Sequence, residues 1–143
     1  MTQTNITDAA STLLAQFEQW AQLEPDRCRV DTYSATPELK AQSDIALKLG
    51  DSWFTVWATA FASISNSGLA ILQAALQEAI VAKGWDMSLH FTAGTDGEAV
   101  GWIGEVDIHR LTRPSFWQVF HEAAAIALLT AYLQALRAER AAA

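Results

Sequence analysis

A chain of 143 residues with 51% apolar and 17% charged side chains can build a sizeable core but has little charge to dress its surface. A net charge of −7 is the opposite of the basic stripe that holds phosphate, so nucleic acid is excluded as an expected partner. Cys28 stands alone, which rules out an intrachain disulfide and a cysteine-based zinc cluster.

The segment Met1 to Ala10 has neither a basic region nor an apolar run, so no signal peptide is expected. The most apolar stretch, Ala123 to Leu129, is far shorter than a membrane span. The expectation is a cytoplasmic protein that does not insert into membranes.

Thr7 or Asp8 can cap a first helix reaching about Leu23, with Leu13, Leu14, Phe17, Trp20 and Ala21 on its apolar face. Pro25 ends it, because proline lacks the next backbone donor. From Arg27 to Tyr33, Arg27, Arg29, Asp31 and Tyr33 alternate with Cys28, Val30 and Thr32, a strand charged on one side and suited to a sheet edge. Ser34 to Ser43, with Pro37, reads as a loop. Ile45, Leu47 and Leu49 then alternate up to Gly50-Asp51, and an aromatic-rich run from Ser52 to Phe61 follows, which makes a hairpin. In that second strand Trp53, Trp57 and Phe61 are expected on one side, and Phe54, Val56 and Ala58 on the other. With both faces apolar, the strand is expected at the centre of a sheet.

Ser65-Asn66-Ser67 offers capping oxygens for a helix that ends at Lys83-Gly84. Leu69, Leu72, Leu76 and Ile80 form one stripe, while Ile71, Ala74, Ala75, Val81 and Ala82 cover most of the other side. A helix apolar on two sides needs two partners: this chain's own sheet and, by expectation, a second copy. Trp85 to Phe91 and Val100 to Ile108 form a second hairpin around the turn residues Gly94 and Asp96-Gly97. Pro114-Ser115 is expected to introduce a closing helix reaching about Arg140, with Ala124, Ala127, Ala131 and Ala135 as a small-residue stripe and Val119, Ile126, Leu129, Leu133 and Leu136 as a bulky face. The expected fold is α+β, in the order α-β-β-β-α-β-β-α, with an antiparallel twisted sheet packed by helices in one domain spanning 1–143. The two hairpin–helix halves are loosely alike without forming a sequence repeat.

Little in the chain suggests catalysis. His90, Glu105, Asp107 and His109 are expected on one hairpin face, so a metal-dependent enzyme is conceivable, yet no ligand spacing supports it. His121 and Glu122 are adjacent on the expected helix and diverge by about 100°. The glycines 94, 97, 101 and 104 lack the strand–loop–helix setting of a phosphate cradle. Cys28 has no activating neighbour, and no serine nucleophile elbow is present. No cofactor and no metal are expected. Of the six tryptophans, most belong in a core, with one or two expected at a binding surface.

The element order, carried by "STLLAQFEQW", "DIALKLGDSWFTVWATAF", "LAILQAALQEAIVAKG" and "WDMSLHFTAGTDGEAVGWIGEVDIH", resembles the class I effector chaperones of type III secretion, the Tir-chaperone family. The resemblance runs from about Asp8 to Arg140. It implies a non-catalytic cytoplasmic homodimer that holds the amino-terminal segment of a secreted effector in extended form. Carried onto this chain, it implies effector contacts at Phe17, Trp20, Arg29, Val30 and Trp57. The two-fold interface would be formed by Leu72, Leu76, Ile80, Trp102 and Val106. The segment from Leu69 to Leu136 also looks like small phage αβα-sandwich domains, which makes a phage-encoded interaction protein the alternative; a small enzyme using His90, Asp107 and His109 is a third reading.

Overall fold

The computed structural model describes residues 6–34, 41–94, 99–108 and 116–142. The described residues form three helices and two three-stranded antiparallel sheets, an α+β fold. In chain order these are α1 (Ile6–Leu23), β1 (Cys28–Tyr33), β2 (Gln42–Leu49), β3 (Ser52–Ala58), α2 (Asn66–Ala82), β4 (Asp86–Thr92), β5 (Gly101–Asp107), β6 (Phe116–His121) and α3 (Ala124–Ala142). The chain divides into two compact units, Met1–Leu72 and Gln73–Ala143, and α2 runs across the division. The expected loop at Pro37, the turn Asp96-Gly97, His109 and the Pro114-Ser115 helix start lie outside the described residues.

Helix α2 is delimited by local chemistry. Ser65 Oγ accepts the Gly68 N–H at 3.0 Å, and the Ser65 carbonyl accepts from Leu69 N, the two bonds expected of an N-cap. At the other end Gly84 takes φ 72°, Trp85 N–H donates to the Ile80 carbonyl, and Gly84 N–H donates to the Val81 carbonyl. Those are the two bonds of a Schellman stop. The stripe is buried at Leu72, Leu76 and Ile80 with Ala79 beside them; of the other side Ala75 is buried too, whereas Val81 is 73% exposed.

In the first unit each strand pairs with its sequence neighbour, in the order β1-β2-β3. Leu49 pairs with Ser52 across Gly50-Asp51, with Gly50 at φ 63°, so the expected hairpin forms with a two-residue turn. β2 is the central strand, and β3 lies at an edge rather than at the centre as its aromatic content suggested. A register shift at Ile45/Ala46 pairs Thr55 with Ala46 but Trp57 with Ile45, which leaves Val56 as a bulge. That extra residue breaks the alternation. Trp53 falls on the face of Lys48, while Trp57 turns into the core beside Phe17, with ring centroids 6.4 Å apart. The two tryptophans therefore do not share a side.

In the second unit the order is β4-β5-β6. Strand β6 occupies residues that the alanine-rich continuation had assigned to the closing helix, so the element order is α-β-β-β-α-β-β-β-α and α3 starts at Ala124. Phe116, Gln118 and Phe120 alternate with Trp117, Val119 and His121, a period of two that no helix face uses. Helix α3 packs on β5 and β6. It comes close because Gly104 has no side chain: a Cβ there would meet Ala127 C and Leu128 N at 2.7 Å. The small residues Ala127, Ala131 and Ala135 are fully buried, as are Leu128, Leu129 and Tyr132.

The start of α3 is held by a side chain that sequence reasoning left without a role. His121 Nδ1 accepts the Ala123 N–H at 2.9 Å, satisfying a donor that the first turn cannot. His121→Ala is expected to cost about 1 kcal/mol, in the range of a lost cap, and His121→Asn to recover most of it. Urea unfolding of the three proteins checks this.

Candidate protein-binding surfaces

The residues expected to contact an effector separate into two groups. Phe17 and Trp20 are fully buried, and Trp57 is 4% exposed. The Trp20 indole N–H donates to Glu24 Oε1 at 2.9 Å, and the Trp57 N–H donates to the Phe61 carbonyl at 3.2 Å. These three side chains form the core between α1 and the first sheet, so they are not walls of an open groove. Arg29 is exposed and Val30 half-buried, both on the edge strand β1.

The geometry of β1 follows from its register. Cys28 pairs with Leu47 and Val30 with Ile45. Arg27 lies opposite Lys48, whose N–H donates to the Arg27 carbonyl at 3.0 Å. In an antiparallel ladder the bonded positions alternate, so Arg29, Asp31 and Tyr33 bond to β2. Cys28, Val30 and Thr32 then turn their backbone groups to the free edge. The Cys28 N–H is already used, donating to the Glu24 carbonyl at 3.2 Å.

Side chains alternate with the opposite sense. Cys28, Val30 and Thr32 face α1: the Cys28 thiol reaches the Phe17 carbonyl at 3.5 Å, and the Thr32 and Ser43 hydroxyls are 2.8 Å apart. Burial pushes the Cys28 thiol up to about 12, so it stays a neutral thiol. Arg29, Asp31 and Tyr33 face away from α1. There the Arg29 guanidinium crosses the sheet and lies 3.8 Å from the centroid of the Trp53 ring, a cation–π contact that the small Ala46 between them permits. The charged side expected of an edge strand is present, with Trp53 as an aromatic surface beside it.

The expected two-fold interface is largely consumed by the chain itself. Leu72, Leu76, Ile80 and Val106 are fully buried in the single chain. Val106 and Trp102 share the face of Gly104, the face on which α3 packs. Trp102 keeps partial exposure and packs edge-on against Phe91 at 5.3 Å between centroids. Trp53, Trp102 and Trp117 are half-buried, whereas Trp20, Trp57 and Trp85 are core.

His90, Glu105 and Asp107 do share the other face of the second sheet, because Ser88 opposes Glu105 and His90 opposes Ile103. Among the described residues no three His, Cys, Asp or Glu side chains converge on a metal-binding geometry. No described helix is long and apolar enough to cross a membrane. No family model, curated protein or solved structure matches this chain.

Proposed function

We propose that this protein is a non-catalytic, chaperone-like binding protein that takes an extended segment of another protein along the free edge of β1. The observation that carries the reading is that, among the described residues, β1 pairs on one side only, with the backbone groups of Val30 and Thr32 directed away from β2. An added strand satisfies those groups and gains affinity with little demand on client sequence. Exposed Arg29, Asp31 and Tyr33 keep the empty edge soluble and discourage pairing with an identical edge. The resemblance to type III secretion chaperones makes a secreted effector in a non-globular state the proposed client, met in the cytoplasm before export. Phe17, Trp20 and Trp57 hold the edge in place from within. A homodimer through Leu72, Leu76 and Ile80 is not part of the proposal, because those side chains are already buried within the single chain.

Val30→Pro tests this reading. The Val30 N–H is not needed by the β1–β2 ladder, so the substitution leaves the fold intact while deleting one donor from the free edge. Pull-down of the amino-terminal segment of a secreted protein encoded beside this one is expected to weaken by about fivefold or more, the effect of one lost net hydrogen bond of roughly 1 kcal/mol. Circular dichroism should be unchanged. Equal retention by the variant and the wild type would remove the edge from the mechanism.

A further inference from the structure

The second sheet has two unlike faces. Leu89, Gly104 and Val119 lie opposite one another and look toward α3. One residue along each strand, the side chains point away from it: His90, Ile103 and Phe120 in one row, Ser88, Glu105 and Gln118 in the next, Asp86, Asp107 and Phe116 in the last. Phe116 is 49% exposed and Phe120 44%, and Ser88, His90 and Gln118 are also exposed. The Phe120 ring is seated over Gly101, where a Cβ would lie 2.8 Å from its Cζ. The Gln118 amide donates to Glu105 Oε2 at 2.9 Å. Gln118 stands between Phe116 and Phe120 on β6, so the Glu105 carboxylate is held beside two aromatic rings.

We propose that this face docks a basic polypeptide segment in which lysine or arginine alternates with apolar side chains. Sign and pattern both support that occupant. The strands β4, β5 and β6 carry Asp86, Glu105 and Asp107 and not one lysine or arginine. Two copies pressed face to face would set these acidic strands against acidic strands, which argues against a second copy here. A cationic segment meets the opposite case. Its ammonium or guanidinium groups pair with Glu105 and lie over the phenylalanine rings, and its apolar side chains cover Ile103 and Phe120. This surface belongs to the second unit, so it stands or falls apart from the β1 edge.

The test uses the full chain and two fluorescein-labelled synthetic peptides, one alternating lysine with leucine and the other alternating glutamate with leucine, read by anisotropy at low and moderate salt. The lysine peptide should bind and the glutamate peptide should not. Phe116→Ser/Phe120→Ser leaves the charge unchanged and should weaken binding about tenfold or more. Glu105→Gln should weaken it severalfold and flatten its salt dependence. Asp51→Asn, at the hairpin turn of the first unit, should leave it unchanged. Should the double variant lose its circular dichroism, Phe116→Ser alone serves the same comparison. Equal binding by wild type and the phenylalanine variant would overturn the proposal, since only diffuse acidity would then be acting. So would binding to neither peptide, or a wild-type dimer that the phenylalanine substitutions convert to monomer, which would put a second copy on this face.

Discussion

Trp20→Ala is expected to lower stability by about 3–5 kcal/mol, the range for deleting a large buried aromatic side chain. Trp20 is fully enclosed, and its indole N–H is bonded to Glu24 at the turn where α1 gives way to β1. The substitution leaves a cavity and unties that turn together. Natural domains of this size are stable by only about 5–15 kcal/mol, so the loss takes a large share of the total. At about 2–4 °C per kcal/mol, thermal unfolding should fall by roughly 10 °C. Trp20→Phe keeps most of the volume and should fall by much less. A melt of Trp20→Ala close to wild type would show that this side chain is not a core residue, and the client-groove role first expected of it would return. With the large shift, the variant cannot separate binding from folding, which is why Val30→Pro is the better probe of function.

Gly68→Ala is the second large effect, and its sign is the instructive part. Gly68 sits in the first turn of α2, where replacing glycine by alanine ordinarily stabilises a helix by up to about 1 kcal/mol. Here an added Cβ would lie 2.2 Å from the Val56 carbonyl oxygen and 2.8 Å from Ile64 Cγ1. The carbonyl belongs to the bulge of β3, a backbone group that cannot step aside by rotating a side chain. Overpacking of this kind costs about 3 kcal/mol, enough to reverse the propensity gain. Denaturant unfolding should therefore show Gly68→Ala less stable than wild type. A more stable variant would mean that the helix start and the bulge do not meet.

What could be read from the residues was local in its physics. Ser65 and Gly84 delimit α2 through bonds within a few residues of themselves, and Gly50, at φ 63°, turns the hairpin between the paired Leu49 and Ser52. The edge position of β1 was legible from Arg29 and Asp31, because charge on one side of a strand is a response to solvent. Three features were not legible for identifiable reasons. Strand β6 was hidden by the alanines after it, although three aromatics in a six-residue alternation were the signal. The separation of Trp53 from Trp57 depends on a register shift at Ile45/Ala46, which is a property of two strands together. Burial of Leu72, Leu76, Ile80 and Val106 depends on what covers them. A sequence states that such side chains are apolar and is silent on whether the cover is the same chain or a second one.

In both sheets, strands adjacent in space are adjacent in sequence. Pairings of that kind close short loops, so little chain entropy is lost before the first contacts repay it, and folding with this topology is fast for a β-containing protein. During synthesis all three strands of the first meander, which ends at Ala58, are made before any strand of the second, which begins at Asp86. A protein whose proposed task is to meet unfolded clients thereby spends little time as one itself.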